Sequence, residues 1–392
     1  MPSTLCTSTY APRHLQHRTH QHQRHPGTPG TLGTLGTLRS YSPQLDGLRA
    51  LAVAAVAWSH WERPYQFGIP FGAGVHLFYV LSGFLITRIL LDVRDQTDRM
   101  SGVRAFYIRR ALRIFPAFYV TLAAAWWADV SPVRETLAWH VTYLSNVQIF
   151  ATETWPGSIS HFWSLAVEEQ FYLLWPWLIV FARRRFLGPA IVMAIAWAPI
   201  FRWWLGTQGY PENLLAVLTP GSLDSLGMGA LLATSSRPSS RQLGSVGPGV
   251  PLALLIALLV AEGRVGPLPL PLMAVKQTLQ AVVFAWLVLR AAAGFRGLPG
   301  RVLSAAPIVY TGRISYGIYL VHGFAGDILA AVGVNSRSLP EPWRLLILCL
   351  LTLGVAAVSW HLMERPINGL KDRFRYAATR SAVRAQDQFA TP

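Results

Sequence analysis

The feature that most constrains this chain is its succession of apolar segments, each close to the length needed to cross a lipid bilayer. Hydrophobic residues make up 52% of the 392 residues and charged residues only 13%, which is about half the charged share of an ordinary soluble domain. A helix needs roughly 17–25 mostly apolar residues to span the hydrocarbon core. The sequence therefore predicts an all-α, polytopic membrane protein with about ten transmembrane helices. The segments lie near 46–62, 74–91, 114–130, 161–181, 188–205, 213–233, 249–263, 268–292, 310–334 and 342–363.

The positions of the basic residues predict how the chain is oriented in the membrane. Its formal net charge is +16, and many of its arginines lie in short loops between apolar segments, as in the cytoplasmic loops of membrane proteins. The clusters at 88–113, 183–185 and 371–384 fall on one side if both termini are cytoplasmic and 131–160 does not cross the bilayer. Membrane topology thus explains the positive charge, and we expect the partner to be the lipid bilayer and not nucleic acid.

Composition divides the chain into three regions. Residues 1–40 are rich in histidine and contain a TPGTLGTLGTL run, which is typical of a disordered, low-complexity tail; a metal-binding or regulatory role is the alternative there. Residues 41–370 are predicted to form the integral-membrane domain and residues 371–392 a basic cytoplasmic tail, with no fused soluble module. Because only Cys6 and Cys349 are present, no disulfide framework is expected.

Ionisable residues inside apolar segments indicate a functional site, because they are costly in a bilayer and usually face a protein interior or a wet cavity. Arg49 and His60 are eleven positions apart on the first segment, which places them on one helix face about 16 Å apart. A neutral imidazole can accept a proton near physiological pH, and a guanidinium can bind phosphate or stabilise an oxyanion. The structural alternatives are a histidine bonded within a helix interface and an arginine that reaches the lipid headgroups.

A second group of ionisable residues, both acidic, lies in the fourth segment. Glu168 and Glu169 are adjacent, so their side chains point about 100° apart on a helix and are expected to have different roles. Tyr172 follows Glu168 by four positions and shares its face. The alternative is a structural ion pair between these carboxylates and a buried arginine such as Arg202.

Six motifs, taken together and in this order, resemble the acyltransferase-3 family of integral-membrane O-acyltransferases over about residues 45–366. They are LDGLRALAVAAVAWSH (45–60), GVHLFYVLSGFLITRILL (74–91), FYIRRALRIFP (106–116), HFWSLAVEEQFYLLWP (161–176), ISYGIYLVH (314–322) and MERP (363–366).

The resemblance implies transfer of an acyl group from acyl-CoA, used as a co-substrate, to a hydroxyl acceptor. Arg49 and His60 match the R-x10-H motif that the family uses in catalysis, with His60 as base or acyl carrier and Arg49 polarising the donor. We assign Glu168 to the same catalytic group. Arg109, Arg110 and Arg113 match an RRxxRIxP element and are assigned to the phosphates of coenzyme A, with anchoring on anionic lipid as the alternative.

Binding of the acceptor is assigned to polar residues of several segments. His76 departs from the family pattern, in which an acidic residue often precedes the aromatic pair, and simple packing is its alternative. Ser82 has no recognised partner for a nucleophilic role and, with Gly83, is expected to allow close helix approach. The residues assigned to acceptor binding are His76, Glu169, Tyr172, Tyr316 and His322.

These observations predict a multi-pass enzyme of the bacterial cell membrane with no metal site and no permanently bound cofactor. Its acceptor would be a glycan or a secondary metabolite such as a macrolide, and the arginine-rich composition favours an antibiotic-producing bacterium. The alternative function is a proton-coupled transporter, because histidine and glutamate in glycine-broken membrane helices also serve carriers. The absence of two similar halves in the sequence favours the enzyme.

Overall fold

The computed structural model of the protein describes residues 42–61, 71–234, 247 and 249–374. Within these ranges all regular secondary structure is helical, which confirms the all-α prediction. The predicted tail at 1–40 lies outside the described residues, as do all but the first four residues of the predicted tail at 371–392.

The helices follow the apolar segments of the sequence, with short breaks at glycine- and proline-containing turns. From the N-terminal side they are α1 (Pro43–Trp61), α2 (Gly74–Arg94), α3 (Arg99–Trp127), α4 (Val133–Val141), α5 (Ser145–Thr152), α6 (Phe162–Phe181), α7 (Arg184–Thr207) and α8 (Leu223–Thr234). They continue as α9 (Gly249–Val265), α10 (Leu270–Ala293), α11 (Gly297–Leu303), α12 (Ala306–Arg313), α13 (Ser315–Val321), α14 (Ala325–Ala331), α15 (Trp343–Ser359) and α16 (Arg365–Gly369).

All ten predicted segments contain helix, but fewer helices have both the length and the hydropathy to cross a bilayer. Among the described residues these are α2, α7, α10 and the helical stretch Trp343–Arg373, and a fifth if α12 and the following Ser315–Ala331, bent by 58°, form one span. Helix α9 is short, at 17 residues. In α1, α3 and α6 the charged residues of the candidate site lower the hydropathy. Ten crossings and cytoplasmic termini therefore remain predictions.

Residues 131–160 contain the two short helices α4 and α5, of nine and eight residues. At 1.5 Å per residue each is roughly 12–14 Å long, less than half of the ~30 Å hydrocarbon core. Their lengths agree with the expectation that this stretch does not cross the membrane.

Helix α2 packs most closely against α8, and two glycines make this possible. A Cβ atom on Gly83 would overlap the backbone carbonyl of Leu226, and one on Gly229 would overlap the carbonyl of Val80. Small residues let membrane helices approach until their backbones touch. The contact supports the role expected for Gly83 and draws α2 against one side of the site.

A buried ion pair joins α7 to α8. The Arg202 Nη2 atom lies 2.7 Å from Asp224 Oδ2, and the two side chains are 2% and 0% exposed. Other N–H groups of Arg202 donate to the carbonyls of Gly221 and Ala274. Because these bonds engage its guanidinium, Arg202 is the partner of Asp224 and not of Glu168 or Glu169, which corrects the alternative considered from the sequence.

Candidate active site

A cavity of about 320 Å³ lies among α1, α2, α3, α6, α13 and the C-terminal turn that follows α16. Eight of the eleven residues singled out from the sequence line it, whereas the three histidines of that set lie elsewhere in the described structure. The structure therefore brings most of the predicted site together from helices that are far apart in the chain. The eight are Arg49, Arg109, Arg110, Arg113, Glu168, Glu169, Tyr172 and Tyr316.

One wall of the cavity carries a closed triangle of hydrogen bonds. The Ser82 hydroxyl donates to Glu168 Oε1 at 2.9 Å, and the Tyr172 hydroxyl lies 3.0 Å from both Glu168 Oε2 and Ser82 Oγ. The two hydroxyl groups thus hold the carboxyl group of Glu168 through both of its oxygens. The spacing of four residues predicted that Tyr172 and Glu168 share a face. Only the packing of α2 on α6 supplies Ser82 with the partner that its sequence context did not show.

The end of the cavity around Tyr172 is strongly cationic. The guanidinium of Arg110 lies 5.2 Å from the centre of the Tyr172 ring, a cation–π contact that orients it. Arg49, Arg113 and Lys371 line the same space. With Arg109, five cationic side chains face two carboxylates, so the cavity suits an anionic ligand.

Arg109 differs from the other cations because the backbone engages it. Its Nη1 atom donates to the carbonyl of Lys371 at 2.8 Å and to that of Phe374 at 3.2 Å. These bonds hold the C-terminal turn against α3. Arg109 thus positions Lys371 as well as lining the cavity itself.

Helices α16 and α13 each contribute a buried polar side chain to the cavity, and sequence reasoning missed the one on α16. Asn368 and Ser315 line the cavity and are 7% and 1% exposed. Within the described part of the chain, Asn368 Oδ1 and Ser315 Oγ are buried without a hydrogen-bond partner. Since buried polar atoms are nearly always paired, these two atoms are suited to meet a ligand. Ser315 is one of the hydroxyl residues of the ISYGIYLVH motif, and the sequence signal for Asn368 was its proximity to the MERP motif.

Tyr316, assigned to acceptor binding, lines the cavity. Its hydroxyl donates to the backbone carbonyl of Ile114 at 2.9 Å. That bond ties α13 to α3, so Tyr316 has a packing role in addition to any contact with a ligand.

Three histidines form a cluster next to the cavity. The rings of His60 and His322 are 4.9 Å apart, those of His161 and His322 are 4.5 Å apart, and those of His60 and His161 are 6.2 Å apart. His161 and His322 are buried, and His60 is half-buried. The HFWSLAVEEQ motif contains His161, but no spacing rule connects it to the first helix.

A thin layer of hydroxyl groups separates this cluster from the cavity. The Tyr319 hydroxyl donates to the backbone carbonyl of His161 at 3.0 Å and is bonded to the hydroxyl of Ser164. Tyr319 and Ser164 both line the cavity, and the Tyr319 ring lies 5.4 Å from that of His322. His60 is therefore next to the far wall of the cavity, while Arg49 lines the cavity from the other end of α1.

His76 lies in a different polar network, between α2, α8 and α10. The amide of Gln277 lies 3.2 Å from its Nδ1 atom and the hydroxyl of Ser225 lies at 3.5 Å. Ser225 in turn contacts Asp224, the partner of Arg202. The structure does not bring His76 to the cavity with the other candidates, and its role in acceptor binding stays a prediction.

No group of three or more histidine, cysteine, aspartate or glutamate side chains in the described ranges is arranged to hold a metal ion. The chemistry that this site can perform from its own side chains is anion binding by the arginines and proton transfer by an imidazole or a carboxylate.

Comparisons with known proteins identify relatives of this chain. The chain is 28% identical over 374 residues to peptidoglycan O-acetyltransferase OatA of Listeria monocytogenes, covering 84% of this chain and 57% of that protein. It is 28% identical over 356 residues to the putative peptidoglycan O-acetyltransferase YrhL of Bacillus subtilis, covering 82% and 54%. A putative O-acetyltransferase of Staphylococcus aureus is 34% identical over 151 residues, which cover 35% of this chain and 24% of that protein.

The chain thus spans just over half the length of the first two relatives. No solved structure matches it. A family model described as an acyltransferase domain matches residues 42–361, which include all eight predicted residues that line the cavity and the three histidines of the neighbouring cluster. With more than half of its length matched, the chain belongs to the acyltransferase-3 family.

Proposed function

We propose that this protein transfers a short acyl group from acyl-CoA to a hydroxyl group of a cell-envelope glycan, within a bacterial cell membrane. The observation that carries the proposal is the juxtaposition of a cationic cavity and a histidine cluster that only a layer of hydroxyl groups separates. A polyanionic donor fits the first, and a proton-transfer reaction fits the second. The names of the relatives favour a glycan such as peptidoglycan over a macrolide as the acceptor.

The donor would bind with its phosphates at the cationic end of the cavity. Arg110, Arg113 and Lys371 line that end, and guanidinium groups bind phosphate oxygens through pairs of N–H groups. The unpaired Asn368 Oδ1 and Ser315 Oγ atoms suit the neutral amide or hydroxyl groups of the same ligand. The pantetheine arm would then extend along the cavity towards Tyr319 and the histidines.

The position of Arg49 refines its role. It lines the cavity with the other arginines, about eleven residues or roughly 16 Å of helix from His60. We therefore place it at the anionic part of the donor and not at the thioester carbonyl next to His60. Its cationic field in a partly buried site still favours binding of the donor.

In the reaction, His60 would serve as the general base. The acceptor hydroxyl gives its proton to the imidazole as its oxygen bonds to the thioester carbon, and the bond from that carbon to sulfur breaks. Coenzyme A leaves as the thiolate and receives the proton from the imidazolium. Glu168, held by Ser82 and Tyr172, would place its carboxyl group at a fixed position on the cavity wall.

The test is acyl transfer by the purified protein in nanodiscs, with radiolabelled acetyl-CoA and propionyl-CoA as donors. Peptidoglycan fragments and a macrolide panel serve as acceptors, and His60→Ala is compared with His361→Ala. His361 is an exposed histidine that contacts Tyr310 away from the cavity, so its variant controls for loss of any histidine. Label on the glycan from wild type and His361→Ala, but not from His60→Ala, is the expected result.

Other outcomes have distinct meanings. Label on a macrolide alone would overturn the glycan assignment, and full transfer by His60→Ala would overturn the assignment of the base. If neither transfer nor acyl-CoA hydrolysis occurs, the acyl-CoA donor is wrong, and proton-coupled flux in proteoliposomes would then test the transporter alternative. Membership of an acyltransferase family argues against that alternative.

A further inference from the structure

The Nδ1 atom of the His60 ring has two polar neighbours. Its Nδ1 atom lies 2.9 Å from the backbone carbonyl oxygen of Val56 and 3.3 Å from Nε2 of His322. A carbonyl oxygen can only accept a hydrogen bond. The proton of a neutral His60 therefore lies on Nδ1, and its lone pair lies on Nε2.

His322 has the complementary arrangement. Its Nδ1 atom lies 2.7 Å from the carbonyl oxygen of Tyr319, which places the proton of a neutral His322 on Nδ1. The lone pair of His322 is then on Nε2, the atom that faces His60 Nδ1. One consistent set of protons thus satisfies all three contacts, with His60 Nδ1–H shared between Val56 and His322.

The surrounding structure holds the two rings in this relation. The indole N–H of Trp61, the residue after His60, donates to the backbone carbonyl of His322 at 3.1 Å. His161 packs 4.5 Å from His322, centre to centre, and its Nε2 lies 3.3 Å from the carbonyl of Leu320. The end of α1 and the turn that follows α13 are therefore joined by both backbone and ring contacts.

We propose that His322 is a positioning residue: through its Nε2 atom, and together with the Val56 carbonyl, it keeps His60 in the tautomer with the basic lone pair on Nε2. The inference rests on the proposed function, because it specifies the nitrogen of His60 that receives the proton of the acceptor. When that proton arrives on Nε2, His60 becomes an imidazolium with a more acidic Nδ1–H. The bond to His322 Nε2 then strengthens, since hydrogen bonds to charged groups are about twice as strong as neutral ones.

This arrangement stabilises the transition state more than the ground state, which is the condition for raising kcat. The proton balance is unchanged: the acceptor hydroxyl supplies it, His60 Nε2 carries it, and the departing thiolate takes it. His322 neither gains nor loses a proton. Its role differs from the binding of acceptor that the sequence indicated for it.

The test compares His322→Gln with His322→Asn. Glutamine reaches the level of Nε2, so its carbonyl oxygen can accept from His60 Nδ1–H. Asparagine reaches only the level of Nδ1, so it can replace the bond to the Tyr319 carbonyl but not the bond to His60. We expect kcat of the asparagine variant to fall about 10- to 100-fold, as the loss of a hydrogen bond to a charged imidazolium implies. The loss should be smaller for glutamine, and the KM for acetyl-CoA should be the same in both.

A purely structural role of His322, through its bond to the Tyr319 carbonyl, predicts the opposite order. A kcat of His322→Asn that is as high as that of His322→Gln would therefore overturn the proposal. His60→Gln in the same assay separates a failure of the proposed function from a failure of this inference. If His60→Gln retains transfer, the proposed function fails; if it abolishes transfer while the asparagine and glutamine variants of His322 are equal, only this inference fails.

A measurement that needs no His322 variant covers the case in which those variants do not fold. In 15N spectra of histidine-labelled protein in nanodiscs, the His60 signals are assigned by their absence from His60→Gln. We expect the proton on Nδ1 and the lone pair on Nε2. A His60 signal with the proton on Nε2 would overturn the proposal irrespective of the variants.

Discussion

Arg113 offers a direct test of the donor site, because a truncated donor can show which part of the ligand Arg113 contacts. Arg113 lines the cationic end of the cavity with Arg49, Arg110 and Lys371. The change Arg113→Gln removes one charge and keeps much of the side-chain length. Arg104→Gln is the matched control, because Arg104 lies on the same helix α3 and is exposed.

The expected magnitude follows from the kind of contact that is lost. Hydrogen bonds to charged groups contribute about 1.5–3 kcal/mol, and each 1.4 kcal/mol corresponds to about tenfold in affinity. We therefore expect the KM for acetyl-CoA to rise roughly 10- to 100-fold in Arg113→Gln with little change in kcat, because the lost contact binds the ground state and transition state alike. Arg104→Gln should have the KM of wild type.

The assay is initial-rate acyl transfer in nanodiscs with acetyl-CoA and with acetyl-pantetheine, which lacks the nucleotide and its phosphates. Wild type should use acetyl-pantetheine poorly, and Arg113→Gln should use it no worse than wild type does. An equal rise of KM for both donors would show that Arg113 does not contact the phosphates. That result would refute the orientation of the donor that we propose.

Three further changes test the packing and the cavity wall. Gly83→Ala should lower stability by about 1–3 kcal/mol through overpacking, measured by thermal unfolding in detergent, whereas Gly354→Ala, in open space on α15, should not; equal unfolding temperatures would contradict the contact of α2 with α8. Arg202→Met should cost about 3–5 kcal/mol because it leaves a buried carboxylate unpaired, and adding Asp224→Leu should recover much of the loss; no recovery would argue against the ion pair as the cause. Tyr172→Phe removes the bonds of the hydroxyl to the glutamate and the serine and should lower kcat about tenfold, as the loss of one bond to a charged group implies; an unchanged rate would exclude this triangle from catalysis.

Local features of the site could be predicted from the sequence with some precision. The apolar segments correspond to helices, and the spacing of Glu168 and Tyr172 correctly places both side chains on one wall of the cavity. The arginines of the FYIRRALRIFP motif also reach the cavity as expected. These relations depend on the period of a single helix, which nearby residues determine.

Other features could not be predicted because they join residues that are distant in the chain. His60 and His322 are 262 positions apart, and Ser82 and Glu168 are 86 positions apart. His76 is a polar residue within an apolar motif, as are the residues that reach the cavity. The packing of α2 against α8 and α10 nevertheless directs its side chain to Gln277.

The sequence by itself determined that this is a helical, acyltransferase-3 protein with arginines, carboxylates and histidines in its apolar segments. The tertiary structure decided which of those side chains meet. It brings Arg109 to the C-terminal turn, Ser82 to Glu168, and His60 to His322. The physical reason is that helix periodicity is a local property of the chain. The rotation and register of one helix against another depend instead on contacts such as Gly83 with Leu226, which involve distant residues and form only when the helices pack together.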